Sequence, residues 1–138
     1  MTYKIISKFI KDISFEIPNT KAFVMLEKEI LNYSLNFDIK SNSYKKNIIE
    51  VNTTLKISPN ENVKHKILTE ITCATLVSIE KNFEDKKELE KIVLIKIPTE
   101  IFPLLYETFV YLFKQAGIKN IQIHKEVDFE KMYNERKK

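Results

Sequence analysis

Glycine is nearly missing from this chain: Gly117 is the only one in 138 residues. One glycine cannot build the loop that wraps backbone amides around a phosphate, so nucleotide binding of that kind is excluded. With only four prolines and no visible internal repeat, there is also no flexible linker or low-complexity stretch. A single domain over residues 1–138 is the expectation, long enough to bury a substantial core. Cysteine is as sparse as glycine. Cys73 alone cannot form an intramolecular disulfide, and a cytoplasmic location is the simplest expectation. No run of about 18 apolar residues occurs, so no membrane span is expected. The opening "MTYKIISKFIKDIS" lacks the continuous apolar stretch of a signal peptide. Arginine is the last scarcity. Arg136 is the only one among 23 Lys+Arg, set against 19 Asp+Glu, so the net charge of +4 rests on lysine. Phosphate recognition tends to recruit arginine forks, and nucleic acid is not an expected partner in spite of the basic balance.

Groups for catalysis are equally thin. His65 and His124 lie far apart with no cysteine or carboxylate at ligand spacing, and read as surface or half-buried residues. Cys73 falls on the apolar side of a strand, where a packed thiol is expected rather than a nucleophile. Neither an enzyme nor a metal or other cofactor is expected.

What the chain does contain is alternation. In "KDISFEIPN" the residues Ile13, Phe15 and Ile17 point one way and Asp12, Ser14 and Glu16 the other, the period of a half-buried strand stopped by Pro18-Asn19. "LNYSLNFDIK" sets Leu31, Tyr33, Leu35, Phe37 and Ile39 against Asn32, Ser34, Asn36 and Asp38. "IEVNTTLKI" and the long "VKHKILTEITCATLVSI" follow, separated by the turn cluster Ser58-Pro59-Asn60-Glu61-Asn62. Four successive strands on short turns predict an antiparallel sheet.

The second half turns helical. "TEIFPLLYETFVYLFKQAG" has apolar residues at helical spacing, with Thr99 as candidate N-cap, Pro103 within the first turn and Gly117 as a stop. Asp128 opens a last helix, "DFEKMYNERKK", whose terminal Arg136-Lys137-Lys138 suit the negative end of the helix dipole. The intervening "EKNFEDKKELEKIVLIKIP" fits helix or extended chain. The predicted class is α+β: a four-stranded antiparallel sheet followed by two helices on one face.

Two features exceed what a core requires. Tyr33, Leu35 and Phe37 give the second strand an aromatic and aliphatic excess, readable as core or as the wall of an apolar groove. The acidic stripe Asp12 and Glu16, joined by Glu70 beside Leu68, is readable as solubilising charge or as a docking face.

Taken in order, "KDISFEIPN", "LNFDIKSNSYKKNIIEV", "ILTEITCATLVSI", "IFPLLYETFVYLF" and "EVDFEKMY" resemble the successive motifs of the SecB export chaperones across residues 3 to 135. The chain departs from that pattern at Ala74-Thr75, Tyr106 and Lys125-Glu126, and in being basic where the family is typically acidic. The resemblance implies a homotetramer, a dimer of dimers, that holds unfolded preproteins in apolar grooves and passes them to the SecA motor. It implies that Asp12, Glu16, Leu68 and Glu70 form the SecA-binding face. Tyr33, Leu35 and Phe37, with Phe129 and Tyr133 of the last helix, are the candidates to line the client groove. The lysines are expected on other faces than the stripe. The competing expectations are a SecB-like chaperone dedicated to one client, such as an antitoxin, and a basic nucleic-acid-binding domain.

Overall fold

A computed structural model describes residues 3–29, 32–60, 66–80, 85–119 and 127–136, apart from the side chain of Glu27. Four strands, β1 (Tyr3–Glu16), β2 (Tyr33–Lys45), β3 (Ile48–Pro59) and β4 (Leu68–Ile79), pair antiparallel throughout, in the spatial order β1-β4-β3-β2. The α+β class and the four-stranded sheet stand as the sequence predicts. The helices are more numerous.

A helix missed in the sequence, α1 (Thr20–Glu29), joins β1 to β2. Those strands are the two edges of the sheet, so the chain must cross three inter-strand gaps, roughly 14 Å at about 4.8 Å each. A helix of 10 residues spans roughly 15 Å, which matches the gap. Asn19 starts it, its Oδ1 accepting from the Ala22 amide at 2.9 Å, and Ala22 and Leu26, one turn apart, bury its inner face. The apolar run 22–26 masks that spacing in the sequence, because every position in it is hydrophobic.

The segment before the long helix proves helical. Asp85 caps α2 (Lys86–Lys91), with Oδ1 accepting from the amides of Lys87 and Glu88 at 3.1 and 3.2 Å. The chain then runs through a π-helical stretch, Ile92–Lys96, directly into α3 (Ile97–Gln115). Thr99 is therefore not the cap that its position suggested. It lies inside α3, where its hydroxyl donates to the Ile95 carbonyl at 2.5 Å, and Pro103 falls in the second turn rather than the first. Pro98 and Pro103 bring no amide proton, and the widened π turn sits just upstream of them. Gly117 ends the helix as expected. At φ 95° its amide bonds back to Lys114, the Ile118 amide bonds to Phe113, and the buried Ile118 side chain closes the cap. The last helix is α4 (Phe129–Arg136), with the Asp128 carboxylate accepting from the Lys131 amide at 2.9 Å.

The core lies on one face of the sheet. Val51, Leu55 and Ile57 of β3 and Ile71, Cys73 and Val77 of β4 meet the stripe Ile97, Ile101, Leu105, Phe109 and Phe113 of α3, all buried. At 3.6 residues per turn a four-residue spacing drifts by about 40° per step, so the stripe winds across the helix as α3 follows the sheet. Phe109 and Phe113 interlock edge to face with centroids 4.2 Å apart, and Phe113 meets Phe15 of β1 at 5.4 Å. Phe109→Ala should lower unfolding free energy by about 3–5 kcal/mol, since nothing nearby is free to fill the cavity. Chemical denaturation of the two proteins side by side measures it.

Candidate functional site

The opposite face of the sheet is open, and the register shows which side chains share it. Residues directly opposite in an antiparallel pair lie on the same face. Asp12 pairs with Thr72, Ser14 with Glu70 and Glu16 with Leu68, so the four sequence-predicted docking residues occupy adjacent rows of β1 and β4 on the open side. Leu68 is 43% exposed among them, Asp12, Glu16 and Glu70 are exposed, and the Ser14 hydroxyl donates to Asp12 Oδ2 at 3.4 Å. The row of Asp12 and Thr72 continues through Thr54 to Asp38, which adds a carboxylate that the sequence reading did not include.

Not all of the lysines are on other faces. Lys56 of β3 stands opposite Glu70 in the same row. Lys11 lies in a bulge between Ile10 and Asp12, and on the open side its Nζ bonds Glu50 Oε2 at 2.8 Å, across the intervening strand β4. Asn52 Nδ2 donates to the same oxygen at 2.8 Å. Lys11 and then Asn52 hold the Glu50 carboxyl below its ordinary range. A strand bulge is not legible in "KFIKDIS", whose alternation simply skips, and so neither was the shared side of Lys11 and Asp12. Phe9, 46% exposed beside Ala74, adds an apolar member to the face.

The groove candidates gather at the other edge, on the covered side. Tyr33 is buried and its hydroxyl accepts from the Ile67 amide at 3.2 Å. Leu35 and Phe37 are half-buried against the core, and Phe129 and Tyr133 of α4 are buried. Phe37, Phe102 and Phe129 form an edge-to-face trio, with centroids 4.9 Å apart for Phe37–Phe129 and 5.8 Å for Phe37–Phe102. The structure thus packs these side chains on one another. The cavity left between β2 and α4 measures about 20 Å³, room for about one water and not for a client side chain. A larger cleft, about 720 Å³, opens on the far side of Phe129 between Tyr3, Lys96, Glu100 and Asp128. The Tyr3 hydroxyl donates to Glu100 Oε1 at 3.0 Å; burial, then Glu100, push the phenol above its ordinary pKa. No periodicity joins residue 3 to residues 96–130, so this cleft was invisible in the sequence.

The remaining candidates carry no site. Cys73 is fully buried on the covered face, and burial pushes its thiol up, the reverse of what a nucleophile needs. His65, His124, Lys137 and Lys138 lie outside the described residues. Among the described residues no group of three metal-ligating side chains comes together, and no helix is long and apolar enough to cross a membrane.

Comparison with known proteins places this arrangement. A protein-export protein SecB of Pelagibacter ubique (strain HTCC1062), provisionally so named, is 40% identical over 134 residues, covering 97% of this chain and 96% of that one. The protein-export protein SecB of Anaplasma marginale is 28% identical, covering 94% of this chain and 79% of its own. In fold, the chain is similar to a SecB-like chaperone of Mycobacterium tuberculosis solved in complex with a ChAD peptide from the HigA1 antitoxin. The TM-score is 0.63 at 12% identity, covering 91% of this chain and 90% of that one. The family described as preprotein translocase subunit SecB matches residues 1–138 from end to end, and the chain belongs to the SecB family.

Proposed function

We propose that the protein is an export chaperone that holds unfolded preproteins in the cytoplasm and hands them to SecA. The observation that carries the reading is the open sheet face. It sets Asp12, Glu16 and Glu70 around the exposed Leu68, carboxylates framing an apolar contact, as a flat site for a basic partner would require. Holding needs no cofactor, only apolar surface that accepts many sequences.

That surface is the aromatic cluster of β2 and α4. Because Phe37 and Phe129 pack on each other, a client segment enters when α4 lifts from β2 and Leu35, Phe37, Phe129 and Tyr133 exchange their mutual contacts for the client's. The helix suits that role: it has 8 residues and buries only Phe129 and Tyr133. Self-association completes the design. β1 is an edge strand, and Ile6, Phe9 and Ile13 along it are 50%, 46% and 44% exposed, Phe9 on the open face and Ile13 on the covered one, so that pairing of subunits along this edge would cover apolar surface on both sides. The assembly is a homotetramer, a dimer of dimers.

Native mass spectrometry should give four copies of the 16.4 kDa chain; a monomer at micromolar concentration would refute the assembly. Ile39 and Met132 line the narrow space between β2 and α4, so a bridge between cysteines at these two positions, confirmed by mass spectrometry, would lock the helix down. Oxidised Ile39→Cys/Met132→Cys protein should lose suppression of client aggregation and regain it on reduction, with the buried Cys73 unaffected. Unchanged holding in the bridged form would show that clients bind elsewhere. Asp12→Lys with Glu70→Lys should weaken SecA binding at least about tenfold, more at low salt, while client holding persists. Calorimetry on the unmutated protein without any SecA heat, alongside intact holding, would favour service to a single dedicated client.

A further inference from the structure

The open face is electrically polarised along its strands. Its acidic residues cluster where β1 ends and β4 begins; its other end is basic. The terminal row runs Lys4, Ser78, Ile48, Lys45 across all four strands, each residue the direct partner of the next. That places two lysines on one face roughly 14 Å apart, three strand spacings. Lys46 follows in the β2–β3 turn, where Asn47 takes φ 64° and its carbonyl accepts from the Ile79 amide at 2.8 Å, tying the tip to β4. The tip is a fixed projection.

Tyr44 sits at this end in another bulge, between Ser43 and Lys45. It is 56% exposed, with Lys45 Nζ 5.3 Å from its ring centroid. Every residue from 40 to 46 is exposed, those on the covered side included, so the arm reaches beyond the helices. No acidic residue occurs between Asp38 and Glu50. Among the described residues Lys4, Lys45 and Lys46 make no ion pair; Glu50, one row in, is engaged by Lys11, and Glu80 borders the shallow depression beside Lys4.

We propose that this end of the sheet, Lys4, Tyr44, Lys45 and Lys46, docks on the surface of an anionic phospholipid bilayer. The two lysines of the row stand at opposite edges of the sheet and the tip beyond them is exposed throughout, a spread of positive charge that suits a plane of headgroups. Lysines serve as point charges towards lipid phosphates, whereas arginine forks, the usual readers of nucleic acid, are absent there. An exposed tyrosine beside lysines supplies the amphipathic ring that settles at headgroup level. The site is separate from the acidic docking residues and from the aromatic cluster, so it stands or falls independently of the chaperone reading.

Flotation with vesicles tests it. The protein should float with phosphatidylcholine vesicles containing phosphatidylglycerol and not with phosphatidylcholine alone, and added salt should release it. Lys45→Gln/Lys46→Gln should lower partitioning on the order of thirty-fold, as about 1 kcal/mol per lysine predicts. Tyr44→Ser should weaken it further, and Lys45→Arg/Lys46→Arg should restore it. Lys56→Gln, at the acidic end, should leave it unchanged, and circular dichroism should be unaltered for these exposed substitutions. Partitioning that ignores lipid charge or survives Lys45→Gln/Lys46→Gln would overturn the proposal. So would absence of flotation together with salt-sensitive binding of the same tip to single-stranded RNA.

Discussion

The stripe of five buried side chains on α3, Ile97 to Phe113, settles more of this molecule than any other feature. It occupies one face of a four-stranded sheet, and its burial fixes the parity of every strand beneath it. A slip of one residue in β3 would drive Asn52, Thr54 and Lys56 into the core and expose Val51, Leu55 and Ile57. With Ala22 and Leu26 of α1 and the side chains of α4 on that same side, the opposite face is left to solvent. A polar, continuous sheet face is therefore a by-product of one-sided packing, and it is available for docking without any further cost in stability.

Bulges then decide what that face presents. Counted from Phe9, Lys11 falls on the open side by ordinary alternation; the irregularity between Ile10 and Asp12 then returns Asp12, Ser14 and Glu16 to that same side, next to a lysine that reaches over β4. The result is a face whose charges are sorted by row. Lysines and Glu50 lie towards the β2–β3 tip, and Asp12, Asp38, Glu70 and Glu16 towards the other end, interrupted by Lys56. A chain with net charge +4 can thus carry a locally acidic surface.

On the covered side the aromatic trio has a double character. Each edge-to-face pair adds about 0.5–1.5 kcal/mol beyond the area it buries, enough to seat an eight-residue helix. The same amount is small enough for another apolar segment to replace. Under the proposed function, core and groove are two states of one set of side chains, Leu35, Phe37, Phe129 and Tyr133.

Local rules written in single residues were legible in the sequence: the period-two strands, Gly117 as a helix stop, Asp128 as a helix start, and the shared side of Asp12 and Glu16 along one strand. Each depends on neighbours within a few positions, which a linear pattern records. Thr99 failed as a cap because helical chain already runs into α3 from α2, which Asp85 caps upstream, with a widened turn just before Pro98. The helix α1 went unseen because an unbroken apolar run has no period to read. The tertiary structure alone decided the strand order that puts β1 beside β4, the bulge that puts Lys11 and Asp12 on the same side, and the cleft between Tyr3 and Glu100. Those depend on which distant segments share a face, and distance along a chain carries no record of that until the core has closed.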